Sequence, residues 1–140
     1  PAIPKSPLCS ECIMKFPYSS AYEPSMPALQ VKLGYPDGAL VVGPILAIVD
    51  TGADGTLVPQ AIVDDLGAPF VDAVRVRGHW GEWQQAQVFM VDLGIDGIRL
   101  PVVEVVGDEI GTEMILGRNA LNRLKLLLDG PAGQVEILDS

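Results

Sequence analysis

Two residue types that often mark a site are scarce. Cysteine occurs twice, as Cys9 and Cys12 in LCSEC. A C-x-x-C pair can hold half a zinc site or form a redox disulfide. Here no second ligand pair accompanies it, because the single histidine, His79, stands far along the chain. No βαβ pattern surrounds it either, so a redox or metal module lacks its partner groups. The pair reads as two free or loosely paired thiols in an N-terminal arm. Positive charge is also scarce: 9 Lys and Arg face 18 Asp and Glu, a formal net charge of −9. Such a surface repels phosphate backbones and anionic lipid, so neither nucleic acid nor membrane is an expected partner. No apolar run reaches the roughly 18–20 residues that span a bilayer. No basic-then-apolar segment opens the chain, so the cytoplasm is the default expectation for a compartment that the sequence does not otherwise specify. The first residue is Pro1 rather than Met, as in a fragment or a processed form.

What is abundant is apolar and turn-forming. Hydrophobic residues make up 49% of 140, with 15 Gly and 12 Pro. That length suits one domain and a real core without staples. The glycine and proline content favours many short strands over long helices.

Pro1–Pro27 is rich in Pro and Ser and reads as an extended arm with little regular structure, ahead of a domain over 28–140. Ala28–Gly34 (ALQVKLG) alternates as a strand does. Tyr35-Pro36-Asp37-Gly38 is a turn. Ala39–Val49 returns as a second strand, bulged near Gly43-Pro44. Gln60–Leu66 makes a short helical turn closed by Gly67. Phe70–Arg77 and Glu82–Val91 alternate around Gly78-His79-Trp80-Gly81, a long hairpin with a glycine-framed tip. Ile98–Val106 is a further strand and Met114–Gly117 a short apolar run. Arg118–Leu124 is one or two helical turns. Leu126–Asp129 and Gln134–Leu138 close the chain as a hairpin. The sum is a mostly β fold, a small closed or nearly closed barrel with one short helix near the end.

The stretch that organises the rest is Ile45–Pro59, ILAIVDTGADGTLVP. Five apolar residues climb to a carboxylate, Asp50, and Thr51-Gly52-Ala53 follow without a hairpin return. An unpaired carboxylate buried in a core costs several kcal/mol. At a strand end, with its oxygens facing a cavity and nearby amides, the same group becomes an acid–base site. It then needs a second proton carrier. Other Asp-Gly pairs, such as Asp37-Gly38 and Asp129-Gly130, are plain turns without that apolar lead-in.

Val49–Thr56 (VDTGADGT) resembles the active-site loop of retropepsin-like aspartic proteases. Ile115-Leu116-Gly117-Arg118-Asn119 resembles that family's second signature, and the glycine-tipped hairpin lies where the family keeps its flap. Order and spacing agree over about Ala28–Leu128. The resemblance implies a small acid-protease barrel, homodimeric, with Asp50 as the catalytic carboxylate. It implies that Thr51 locks the two loops across the dimer axis and that Gly52 allows close backbone approach. It pairs Asp54 with Arg118 as an ion pair tying loop to helix. Gly55 departs from the retroviral members, which often carry a second Asp there.

The flap would comprise Arg77, Gly78, His79, Trp80 and Gly81, with His79 an exposed turn residue. Regular alternation puts Trp80 and Trp83 on opposite faces, so at most one of them touches substrate. Val58 and Ile115 would line an apolar substrate pocket beside the active-site loop. One loop per chain requires a second copy, whose Asp50 shares a proton with the first. The implied activity is hydrolysis of an extended peptide, with no metal and no cofactor. The alternative is a non-catalytic dimeric peptide-binding module of the same fold, against which the intact Asp-Thr-Gly argues.

Overall fold

The computed structural model describes residues 11–77 and 81–139. Along them run β1 (Cys12–Pro17), β2 (Ala28–Gly34), β3 (Val42–Val49), β4 (Thr56–Pro59), α1 (Gln60–Leu66), β5 (Phe70–Arg77) and β6 (Trp83–Ile95). Then follow β7 (Ile98–Asp108), β8 (Met114–Leu116), α2 (Arg118–Leu121), β9 (Lys125–Asp129) and β10 (Gln134–Leu138). Strands β2, β3, β8, β4, β7 and β6 are hydrogen-bonded in that order, and β2 returns to β6. The ring closes, which removes the open edges that a flat sheet would leave. The mostly β barrel expected from the sequence is therefore present.

Alternation explains the staves. In β2, Leu29, Val31 and Leu33 are buried while Gln30 and Lys32 face out. The bulge expected in β3 is present as a register shift between Val31 and Leu33, opposite Gly43-Pro44. Gly43 has φ +109°, and a Cβ there would meet the Val31 carbonyl oxygen at 2.7 Å. Strand β6 has two lives. Its first residues are largely exposed and pair with β5, whereas Val88–Ile95 is almost continuously buried and forms a stave. It runs past Val91, where alternation suggested an end, to a two-residue Asp96-Gly97 turn with Asp96 at φ 53°.

Helix α1 ends as expected at Gly67, which is left-handed at φ 59° and donates its N–H to the Asp64 carbonyl. Helix α2 is four residues long, with turn hydrogen bonds continuing it to Leu124. Ala120 and Leu121 are buried and seat it on the core.

The expected unstructured arm is corrected in part. Cys12–Pro17 forms β1, which joins β10 and β9 in a second, three-stranded sheet. Met14 and Phe16 pack on the core, and Lys15 bridges Glu136 at 3.4 Å across the strands. The flanking Pro and Ser residues hide this alternation in the sequence. Cys9 lies outside the described residues, and Cys12 is exposed at the start of β1. Among the described residues no helix is long and apolar enough to cross a membrane.

Candidate active site

Strand β3 carries Ala47, Ile48 and Val49 through the core and releases Asp50 half-exposed at its end. Asp50 donates its own N–H to the Leu116 carbonyl at 3.1 Å, extending the parallel β3–β8 pairing by one step. The chain then turns sharply. The Ala53 N–H reaches the Asp50 carbonyl at 3.2 Å, and the Gly52 N–H donates to Asp50 Oδ1 at 2.9 Å. A Cβ at Gly52 would lie 3.1 Å from that same oxygen, which accounts for glycine here. Thr51 is exposed.

The loop is fastened from behind by Gly117 and Arg118. The Arg118 N–H donates to the Ala53 carbonyl at 2.8 Å, and its guanidinium Nη1 donates to the Thr51 carbonyl at 2.9 Å. The expected Asp54–Arg118 ion pair is not formed among the described residues; Arg118 is occupied by loop carbonyls, and exposed Asp54 faces a cleft instead. Gly117 presses on the loop so closely that a Cβ would meet the Gly55 carbonyl oxygen at 2.0 Å.

A second fastening was not read from the sequence. Thr56 is fully buried; its hydroxyl donates to Asn119 Oδ1 at 2.7 Å and accepts the Gly117 N–H at 3.2 Å. Asn119 Nδ2 continues to the Glu104 carbonyl at 2.8 Å. Through these hydrogen bonds the chain ties the active loop, α2 and β7 together. The only signal was a threonine inside an otherwise apolar β4.

Beside the loop lies a cleft of about 750 Å³. Its walls include Ala53, Asp54, Gly55 and Leu57 on one side and Arg75, Arg77 and Trp83 of the β5–β6 hairpin on the other. The lining begins at Ala53, and Asp50 is not part of it. Val58 does not line it either, contrary to expectation: it is fully buried in the core. Period-two alternation from buried Thr56 puts Val58 inward and Leu57 outward. Ile115 is half-buried across from Leu57 but is not among the cleft residues. Of the expected flap, Arg77 ends β5 and Gly81 has φ +85°, while Gly78, His79 and Trp80 lie outside the described residues.

A six-stranded ring with an Asp-Thr-Gly turn fastened onto Leu-Gly-Arg-Asn is the single-lobed acid-protease architecture. Residues 42–123, more than half of the chain, match the family model described as "gag-polyprotein putative aspartyl protease", and the chain belongs to that family. A retropepsin-like aspartic protease from Rickettsia conorii superposes with a TM-score of 0.62 at 17% identity, covering 96% of each chain. EIAV protease in complex with an inhibitor superposes at 0.56 and 21% identity, over 74% of this chain and 93% of its own. Simian foamy virus protease gives 0.50 and 19%, over 68% and 91%. At these identities the agreement is one of fold. No curated protein sequence matches significantly.

Proposed function

We propose that this chain is an aspartic endopeptidase that works as a homodimer, each copy supplying one Asp50. The observation that carries this is the state of Asp50: half-exposed at a strand end, with one oxygen held by the Gly52 amide. One such loop per chain supplies half of a two-carboxylate site, and two-fold symmetry supplies the other half. Two close carboxylates share one proton. The ionised one takes a proton from a water, whose oxygen attacks the peptide carbonyl. The protonated one donates to the carbonyl oxygen, and collapse of the tetrahedral intermediate breaks the C–N bond as a proton passes to the leaving amine. The substrate is an extended peptide laid against strand edges between the loop and the β5–β6 hairpin.

Subunit mixing tests the shared site. Asp50→Asn protein added to a fixed amount of wild type should lower peptide cleavage by drawing active subunits into mixed dimers. Activity that stays constant as the inactive chain is titrated in, under conditions where exchange is shown, would sink the two-subunit site.

A further inference from the structure

We propose that Arg75, Arg77 and Trp83 form a reader for an acidic side chain, so that the preferred substrates are peptides carrying Asp or Glu at a position facing the β5–β6 hairpin. This deepens the protease reading and rests on it for its substrate. Arg75 and Arg77 are two apart on β5 and so share one face. Trp83 is the cross-strand partner of Arg77. Both guanidinium carbons sit over its ring, at 5.2 Å for Arg75 and 5.9 Å for Arg77. All three residues line the cleft and are exposed.

Stacking matters because it fixes the arginines without using up their donors. A guanidinium on an aromatic face keeps its N–H fork in plane, free for a carboxylate. Among the described residues neither guanidinium has an ion pair. That is unusual company in a chain of net charge −9, where acids outnumber bases two to one. The cleft's other charges are Asp54, Asp108 and Glu109. Asp108 is occupied by the Ile110 and Gly111 amides, at 3.0 and 2.9 Å. These acids disfavour an anion near them, so the preference is for one substrate position, not for acidity at large.

The test uses peptides identical except for Glu or Gln, with that residue moved along the sequence. At one position the Glu peptide should be cleaved with about tenfold higher kcat/KM, the worth of a charge-assisted hydrogen bond. The ratio should shrink with added salt. It should fall to about one in Arg75→Gln/Arg77→Gln, whereas Arg75→Lys/Arg77→Lys should retain part of it. Because each ratio is taken within one preparation, the amount of folded enzyme cancels. Equal cleavage of all Glu and Gln pairs by wild type would overturn the proposal while leaving the protease reading intact. So would a preference that survives removal of both arginines. If neither peptide is cleaved, binding by wild type decides: selective, arginine-dependent retention of the Glu peptide supports the reader, and no selectivity overturns it.

Discussion

Asp50 follows the end of β3 and Asp92 lies within β6 of the same barrel, and the chain treats them oppositely. Asp92 is 1% exposed, and both of its carboxylate oxygens accept hydrogen bonds. Its Oδ2 accepts from Arg99 Nη2 at 2.7 Å and from the Asp37 N–H at 2.9 Å, and its Oδ1 accepts from the Val102 N–H at 2.8 Å. Burial pushes this carboxyl upward, but the Val102 and Asp37 amides and the Arg99 guanidinium outweigh it and hold it below the usual carboxylate range. Asp50, by contrast, is half-exposed and takes one amide. A buried carboxylate with both oxygens bonded clamps the segments around it and is closed to a substrate. One left open at a strand end contributes little to the fold and keeps its oxygens for chemistry.

Neutral isosteres should separate the two. Asp50→Asn should lower peptide cleavage by at least about 10²–10⁴-fold, the usual worth of an acid–base group, while the melting temperature holds or rises. A stability loss as large as the activity loss would show that Asp50 is as structural as Asp92.

Gly117 probes the fastening that holds Asp50 in place. Gly117→Ala sets a methyl against the Gly55 carbonyl, where a Cβ has 2.0 Å. Rearranging a backbone contact of that kind costs about 3 kcal/mol, and cleavage should fall beyond what the loss of folded protein explains. By contrast, a Cβ at Gly55 meets nothing within 4 Å, so Gly55→Ala is the matched control for stability. Equal melting temperatures for the two would show that the loop is not braced by Gly117.

Asp92→Asn should cost about 1–3 kcal/mol, the worth of hydrogen bonds to a charged group. The sign with pH follows from the depressed folded pKa. Asp92 contributes fully above its unfolded pKa, and the contribution is lost as pH falls through the lower, folded one. Wild type and Asp92→Asn should therefore differ most near neutrality and converge below about pH 4. A gap between the two melting temperatures that widens on acidification would contradict the assignment.

The barrel was legible because its staves alternate, as in Leu29, Val31 and Leu33, and because glycines mark their turns. The Asp50 loop was legible from its five-residue apolar lead-in. The rest depends on distant partners. Thr56 and Asn119 are 63 residues apart, and neither shows alone that it will hydrogen-bond the other. Asp92 falls where β6 was expected to have ended, and its role rests on a bulge in the facing strand. The Arg118 ion pair came from resemblance, and here the loop's own carbonyls capture that guanidinium. Val58 faces the core and its neighbour Leu57 the cleft, so one residue of register is the whole difference between the two.

The bulge yields the smallest and most discriminating effect. Val91 pairs with Val103 and Leu93 with Leu100, so Pro101 and Val102 together oppose Asp92. That geometry puts Val102 at φ 53°, in the left-handed region that a β-branched side chain resists. It is held there at both ends: its N–H by Asp92 and its carbonyl by Arg123 Nη2 at 3.1 Å. The side chain is 48% exposed, so little packing is at stake. Val102→Asn, a residue that tolerates this conformation, should stabilise the protein by about 0.5–1 kcal/mol. If Asp92 is what imposes the strain, the gain should shrink when Asp92→Asn is already present, because a weaker clamp lets the bulge relax. A double-mutant cycle on melting free energies reads that coupling directly. Strict additivity would mean that the bulge is set by the barrel's own register, leaving Asp92 to fill it rather than to form it.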